Sequence, residues 1–88
     1  MDNHINTIKS MLQYAVNTLN TASGVRKRRL KGVYKGDGFY RIHMQSLSPY
    51  FIYDECMELV GRSVEIDDEN YIIHFGDDLW FELRKLSS

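Results

Sequence analysis

Cysteine, proline and tryptophan each occur once in this 88-residue sequence, as Cys56, Pro49 and Trp80. A lone cysteine closes no internal disulfide, and small secreted domains usually depend on such bridges, so the composition predicts a reducing, cytoplasmic setting. One proline and no low-complexity run argue against disorder beyond the ends. No apolar run approaches transmembrane length, and the N-terminus lacks the basic-then-apolar pattern of a signal peptide, so no membrane association is expected. Catalytic signatures are missing too. There is no G-x-S-x-G, no P-loop and no G-x-G-x-x-G. His4, His43, His74 and Cys56 are scattered without the local pairs of a zinc site. Asp67-Asp68-Glu69 and Asp77-Asp78 lack the alternating ligands and central glycine of a calcium loop. Carboxylates in turns are usually solvated and need burial before their pKa moves enough for acid–base chemistry. We therefore expect no metal, no cofactor and no catalysis.

What is present is aromatic surface and unevenly distributed charge. Six Tyr, four Phe and one Trp give a single small domain, residues 1–88, enough large side chains for one core. The net charge is −1, but its parts are far apart along the chain. Through Tyr53 eight basic residues stand against two acids, a net of +6; from Asp54 onward ten acids stand against three bases, a net of −7. One small body carrying both halves is expected to have a polarised surface.

The segment Leu30 to Met44, LKGVYKGDGFYRIHM, organises the rest. Gly36-Asp37-Gly38 supplies residues that tolerate the positive φ of a tight hairpin turn. After it Tyr40, Ile42 and Met44 alternate with Arg41, His43 and Gln45, the period of a half-buried strand. Before it Leu30, Gly32 and Tyr34 alternate with Lys31, Val33 and Lys35, a weaker form of the pattern. Residues 3–22 read as an amphipathic helix with Ile5, Ile8, Leu12, Ala15, Val16 and Leu19 on one face. Asp2 or Asn3 is placed to cap its start and Gly24 to close its end. Packing across the sheet is its expected role, with dimerisation as the alternative.

Arg26-Lys27-Arg28-Arg29 forms a basic linker from helix to hairpin, suited either to phosphate contact or to solvated spacing. After Leu47-Ser48-Pro49 the second strand breaks. YFIYDECMELVG then reads either as a helix capped by Ser48 or as a short strand at 50–53 followed by a helical turn. Cys56 reads as a small buried apolar residue. Short strands follow at 62–66 and 71–75, with turns at Asp67-Asp68-Glu69-Asn70 and Gly76-Asp77-Asp78. In the last strand Leu79, Phe81 and Leu83 point one way and Trp80, Glu82 and Arg84 the other. With the first set in the core, Trp80 is either an outward interface residue or a side chain packed under the helix.

GVYKGDGFYRIHM resembles the first strand pair of SH3-like and Tudor-like barrels, and PYFIYDECMELVG resembles their next strand with its single helical turn. That resemblance spans about residues 30–83 and implies a binding surface on aromatics and loops, without catalysis. In length, aromatic content and one acidic end the chain also resembles small phage-encoded inhibitors, of the anti-defence or anti-CRISPR kind. The expected fold is α+β: one N-terminal helix on an antiparallel sheet of about five strands over 30–84, or a partial SH3-like barrel. The expected function is that of a non-enzymatic protein-binding module. Asp67, Asp68, Glu69, Asp77, Asp78, Trp80 and Glu82 would enter a basic, nucleic-acid-binding groove of a partner. Two alternatives stand beside it. One is RNA or DNA binding through Arg26, Lys27, Arg28, Arg29, Lys31, Lys35 and Arg41; the other is a structural homo-oligomer formed through the helix or a sheet edge.

Overall fold

The computed structural model describes residues 3–25 and 30–86, with Asn3 described through its backbone alone. In chain order the elements are α1 (Asn3–Thr21), β1 (Val33–Gly36), β2 (Phe39–His43), α2 (Met44–Leu47), α3 (Tyr53–Met57), β3 (Ser63–Ile66), β4 (Glu69–Phe75) and β5 (Trp80–Lys85). The five strands form one antiparallel sheet in the order β1-β2-β5-β4-β3. The sheet stays open, with β1 and β3 as edges, so the barrel half of the expectation gives way to a single layer under one helix. The basic linker 26–29 lies outside the described residues.

Register explains which residues are buried. Val33, Ile42, Phe81 and Phe75 pair across four strands, and so do Lys35, Tyr40, Leu83 and Ile73. Apart from Lys35 all of these are buried, and together they form the face under α1. The helix presents Ile5, Ile8, Leu12 and Val16 to that face, each buried, with Ala15 and Leu19 packed at its margin. Spacing of three and four residues places these side chains on one stripe, so α1 is held by burial against the sheet more than by its mediocre Asn and Thr helix formers. The Asn20 side-chain amide donates to the Tyr40 hydroxyl at 3.2 Å, and the Gln13 amide donates to the Glu65 carbonyl at 2.8 Å. The second bond anchors the helix to edge strand β3.

Turns set the registers. Asp37-Gly38 closes the first hairpin with Gly38 at φ 81°, which pairs Gly36 with Phe39. The Phe39 ring lies over Gly36, 2.2 Å from where a Cβ would stand, so no larger residue fits there without displacing the ring. Counting back from this turn puts Val33 opposite buried Ile42 and Tyr34 opposite Arg41. The alternation of β1 is thus the reverse of what Tyr34 alone implies: Val33 faces the core and Tyr34 is 58% exposed. Asp67 and Asp68 turn β3 into β4 with φ 53° and 67°, the pair of left-handed residues a two-residue turn uses.

The stretch between β2 and β3 follows neither sequence reading in full: the helical turn of the second reading forms as α3, but no strand precedes it. Met44 does not continue β2; its N–H donates to the Leu79 carbonyl at 2.9 Å, while His43 Nδ1 accepts the Gln45 N–H at 3.2 Å and starts α2. Ser48 caps no helix, because its Oγ accepts the N–H of Tyr50, two residues on, at 3.1 Å. Nor is there a strand at 50–53. Ile52 is extended at φ −107°, ψ 153° but stands beside no ladder, and α3 begins one residue later. Cys56 and Leu59 turn inward from this segment and are fully buried.

Leu12→Ala removes a fully buried side chain from the helix–sheet contact. It should lower stability by about 3 kcal/mol in urea unfolding. Burial, followed by the charge of Glu55, pushes the Cys56 thiol up to about 11. Below the ordinary thiol value of 9.0 the proton stays on in both folded and unfolded chains. As pH rises through 9 toward 11 the unfolded chain loses it first, so stability should fall over that window in the wild type and less in Cys56→Ala. Thiol titration near neutral pH should be slow when folded and fast in denaturant.

Candidate binding face

Opposite α1 the sheet has a second face, and no described element covers it. Alternation along each strand sends Tyr34 from β1, Phe39, Arg41 and His43 from β2, and Trp80, Glu82 and Arg84 from β5 to this side. Cross-strand pairing assembles them in rows, Tyr34–Arg41–Glu82–His74 and Phe39–Arg84–Ile72–Ser63. Trp80 therefore sits on the uncovered face, which excludes packing under the helix.

The tryptophan is held from several sides. The Tyr34 ring centroid is 5.7 Å away, the His43 ring meets it edge-on at 5.0 Å, and the Arg41 guanidinium carbon lies 4.7 Å above its face. Asp78 ties this group to the β4–β5 turn. Its Oδ1 accepts the Trp80 N–H at 3.1 Å while Oδ2 accepts from Arg41 Nη2 at 3.3 Å. The turn itself needs a left-handed Leu79, φ 69°, whose N–H donates to the Gly76 carbonyl. Arg41 Nε is buried, has no hydrogen-bond partner among the described residues and lies 4.0 Å from Glu82 Oε2. Glu82 is also paired with Arg84. Beside Trp80 the surface dips into an open groove of about 570 Å³, walled by Val60, His74, Trp80, Glu82 and Arg84.

At the rim of this groove Tyr53 packs on Phe75, with ring centroids 5.6 Å apart, and donates its hydroxyl proton to Asp77 Oδ1 at 2.7 Å. That hydrogen bond, then partial desolvation, then the charges of Asp77 and Asp54 raise the Tyr53 pKa above its ordinary value.

The protein-binding residues expected from the sequence fall into two places. Asp78, Trp80 and Glu82 converge on the uncovered face, with Asp77 next to them. Asp67, Asp68 and Glu69 lie at the other end of β4, about 20 Å away along a seven-residue strand. There Glu69 is paired with Lys85 at 3.0 Å. The basic set is divided as well. Arg26, Lys27, Arg28 and Arg29 are outside the described residues. Lys35 lies on the helix side, its ammonium 5.8 Å from the Tyr40 ring, whereas Arg41 is on the opposite face. Exposed Lys31 has its carbonyl bonded by Ser46 Oγ at 2.8 Å. Tyr34, His43 and Val60 join the site without having been marked by sequence reasoning. The two-residue turn length, which fixes Tyr34 opposite Arg41, was the signal for the first.

Among the described residues no three His, Cys, Asp or Glu side chains are grouped to hold a metal ion, and no helix is long and apolar enough to cross a membrane. Comparison with protein-family models, curated proteins and solved structures finds no match to the chain.

Neighbours in sequence, Trp80 and Phe81 lie on opposite faces and should respond differently to truncation. Phe81→Ala should cost about 3–5 kcal/mol in denaturant unfolding, and Trp80→Ala about 1 kcal/mol.

Proposed function

We propose that this chain is a non-enzymatic protein-binding module whose partner docks on the uncovered sheet face around Trp80. The observation that carries the reading is the position of the Trp80 ring, outward and fixed between Tyr34, His43 and Arg41. Trp, Tyr and Arg dominate the energetics of protein interfaces, and a ring already held in place loses little freedom on binding. Each guanidinium on this face has a carboxylate beside it, Arg41 with Asp78 and Glu82 and Arg84 with Glu82. Such pairing leaves little net positive field for a phosphate backbone and favours a protein partner. Acidic groups at and beside the groove, Asp77 foremost because Asp78 is already paired with Arg41, favour a partner with a basic surface, such as a nucleic-acid-handling protein presents. Occupation of that surface would make the module an inhibitor by competition.

A second reading uses the same aromatics. Bases of a single strand stack on rings such as Tyr34 and Trp80. It predicts direct binding to RNA or DNA that weakens steeply with salt.

Affinity capture with the whole chain, compared with Trp80→Ala and Asp77→Lys/Asp78→Lys baits, separates the readings. The bound protein should be retained about tenfold less by either variant. Equal retention by all three baits would remove this face from the interaction. In parallel, labelled single-stranded and duplex RNA and DNA should show no micromolar, salt-sensitive binding; such binding would favour the second reading.

A further inference from the structure

Five exposed large apolar or aromatic residues fall within eleven consecutive positions: Tyr50, Ile52, Tyr53, Met57 and Val60. They are not scattered around the molecule. Tyr53 and Met57 are four apart on α3 and share a side, and Val60 follows three later in a segment that keeps helical hydrogen bonds, its N–H donating to the Met57 carbonyl. Cys56 and Leu59 turn to the core on the other side of the same segment. The outward stripe is continuous with the binding face, because Val60 walls the groove beside Trp80 and Tyr53 packs on Phe75 at its rim. Tyr53 is 37% exposed, Met57 38% and Val60 41%, where isolated apolar residues would need no explanation but a continuous stripe does, and Ile52, the residue preceding α3, is exposed at its start.

The charged side chains of α3 itself are acidic, while at the end of the segment Glu58 is paired with His4 and Arg62 Nε donates to the Glu58 carbonyl at 3.0 Å. Asp54 and Asp77 both bear on the Tyr53 hydroxyl, and Glu55 follows Asp54 in the first turn of α3. Among the described residues none of these three carboxylates is in an ion pair, in contrast to Asp78, Glu82 and Glu69. An apolar stripe with unpaired carboxylates beside it is complementary to a segment that is apolar on one side and cationic on the other. Helices laid in grooves use this arrangement, with methionine adapting to the apolar face.

We propose that the Ile52–Val60 shoulder receives a cationic amphipathic helix of the partner protein. Apolar anchors of the helix lie along Ile52, Met57 and Val60, and its Lys or Arg side chains reach Asp54 and Asp77. This rests on the reading of the chain as a protein-binding module and gives the partner's chemistry.

The test uses a labelled Leu/Lys amphipathic peptide of about 18 residues and a Leu/Glu peptide with the same apolar pattern, titrated into the whole protein at moderate salt. Binding is read by anisotropy and by Trp80 emission. The Leu/Lys peptide should bind and the Leu/Glu peptide should not. Asp54→Asn/Asp77→Asn retains an acceptor for Tyr53, and it should weaken binding about tenfold; Ile52→Ser/Met57→Ser, at exposed positions, should do the same. Asp67→Asn/Asp68→Asn removes equal charge at the far end of β4, where asparagine accepts the left-handed backbone, and should change affinity less than about twofold. Equal losses from the two Asn pairs would show attraction to overall charge and overturn the shoulder as a site. Absent binding, or equal binding of the Leu/Glu peptide, would overturn it as well. A captured partner lost by Trp80→Ala but unaffected by Ile52→Ser/Met57→Ser would overturn the shoulder and leave the sheet-face reading standing.

Discussion

One helix laid across one open sheet is the constraint on which this molecule depends. Ile5, Ile8, Leu12 and Val16 seal the inner face, where rows such as Val33–Ile42–Phe81–Phe75 supply the matching apolar surface. Period-two alternation then gives every inward residue of a strand an outward neighbour. Burying Phe81 and Leu83 sends Trp80, Glu82 and Arg84 outward, and burying Ile42 sends Arg41 and His43 with them. The outer face therefore follows directly from the requirements of the core.

Its contents are selective. A solvated sheet face ordinarily carries polar residues in alternation with the core. Here a tryptophan, two further aromatic residues and two histidines share it with paired guanidiniums and carboxylates. Arg41 links the parts, lying over the Trp80 ring, bonded to Asp78 and close to Glu82. That network orders the face in the free chain, so in the proposed complex less side-chain freedom would be lost on binding. The α3 shoulder extends the same surface with apolar side chains and unpaired acids.

Strong local patterns were readable from sequence. The α1 stripe, the alternation of β2 and β5 and the hairpin at Gly36-Asp37-Gly38 each appear as expected, because each is set by short-range spacing. The face taken by β1 was not readable from its own residues. A two-residue turn sets it by pairing Gly36 with Phe39, which leaves Val33 inward. Residues 50–57 have aromatic and β-branched character without a strand beside them, so their backbone follows Ser48 and Ile52 and their β propensity is not realised. Charge was the least readable. Ten acids in the second half suggest one acidic surface, but successive antiparallel turns lie at opposite ends of a sheet. Asp67 and Asp68 are thereby separated from Asp77 and Asp78, while Arg41, Arg84 and Lys85 neutralise Asp78, Glu82 and Glu69.

Hydroxyl-radical footprinting of the chain, alone and with a protein recovered by affinity capture, tests the proposed interface most directly. Trp, Tyr and Met are reactive side chains, and the two sides of the molecule are marked by different ones. Trp80, Tyr34 and Met57 should lose reactivity in the complex while Tyr14, exposed on the outer side of α1, keeps it. Protection of Tyr14 with Trp80 and Tyr34 unchanged would place the partner on the helix and exclude the outer sheet face as the docking surface.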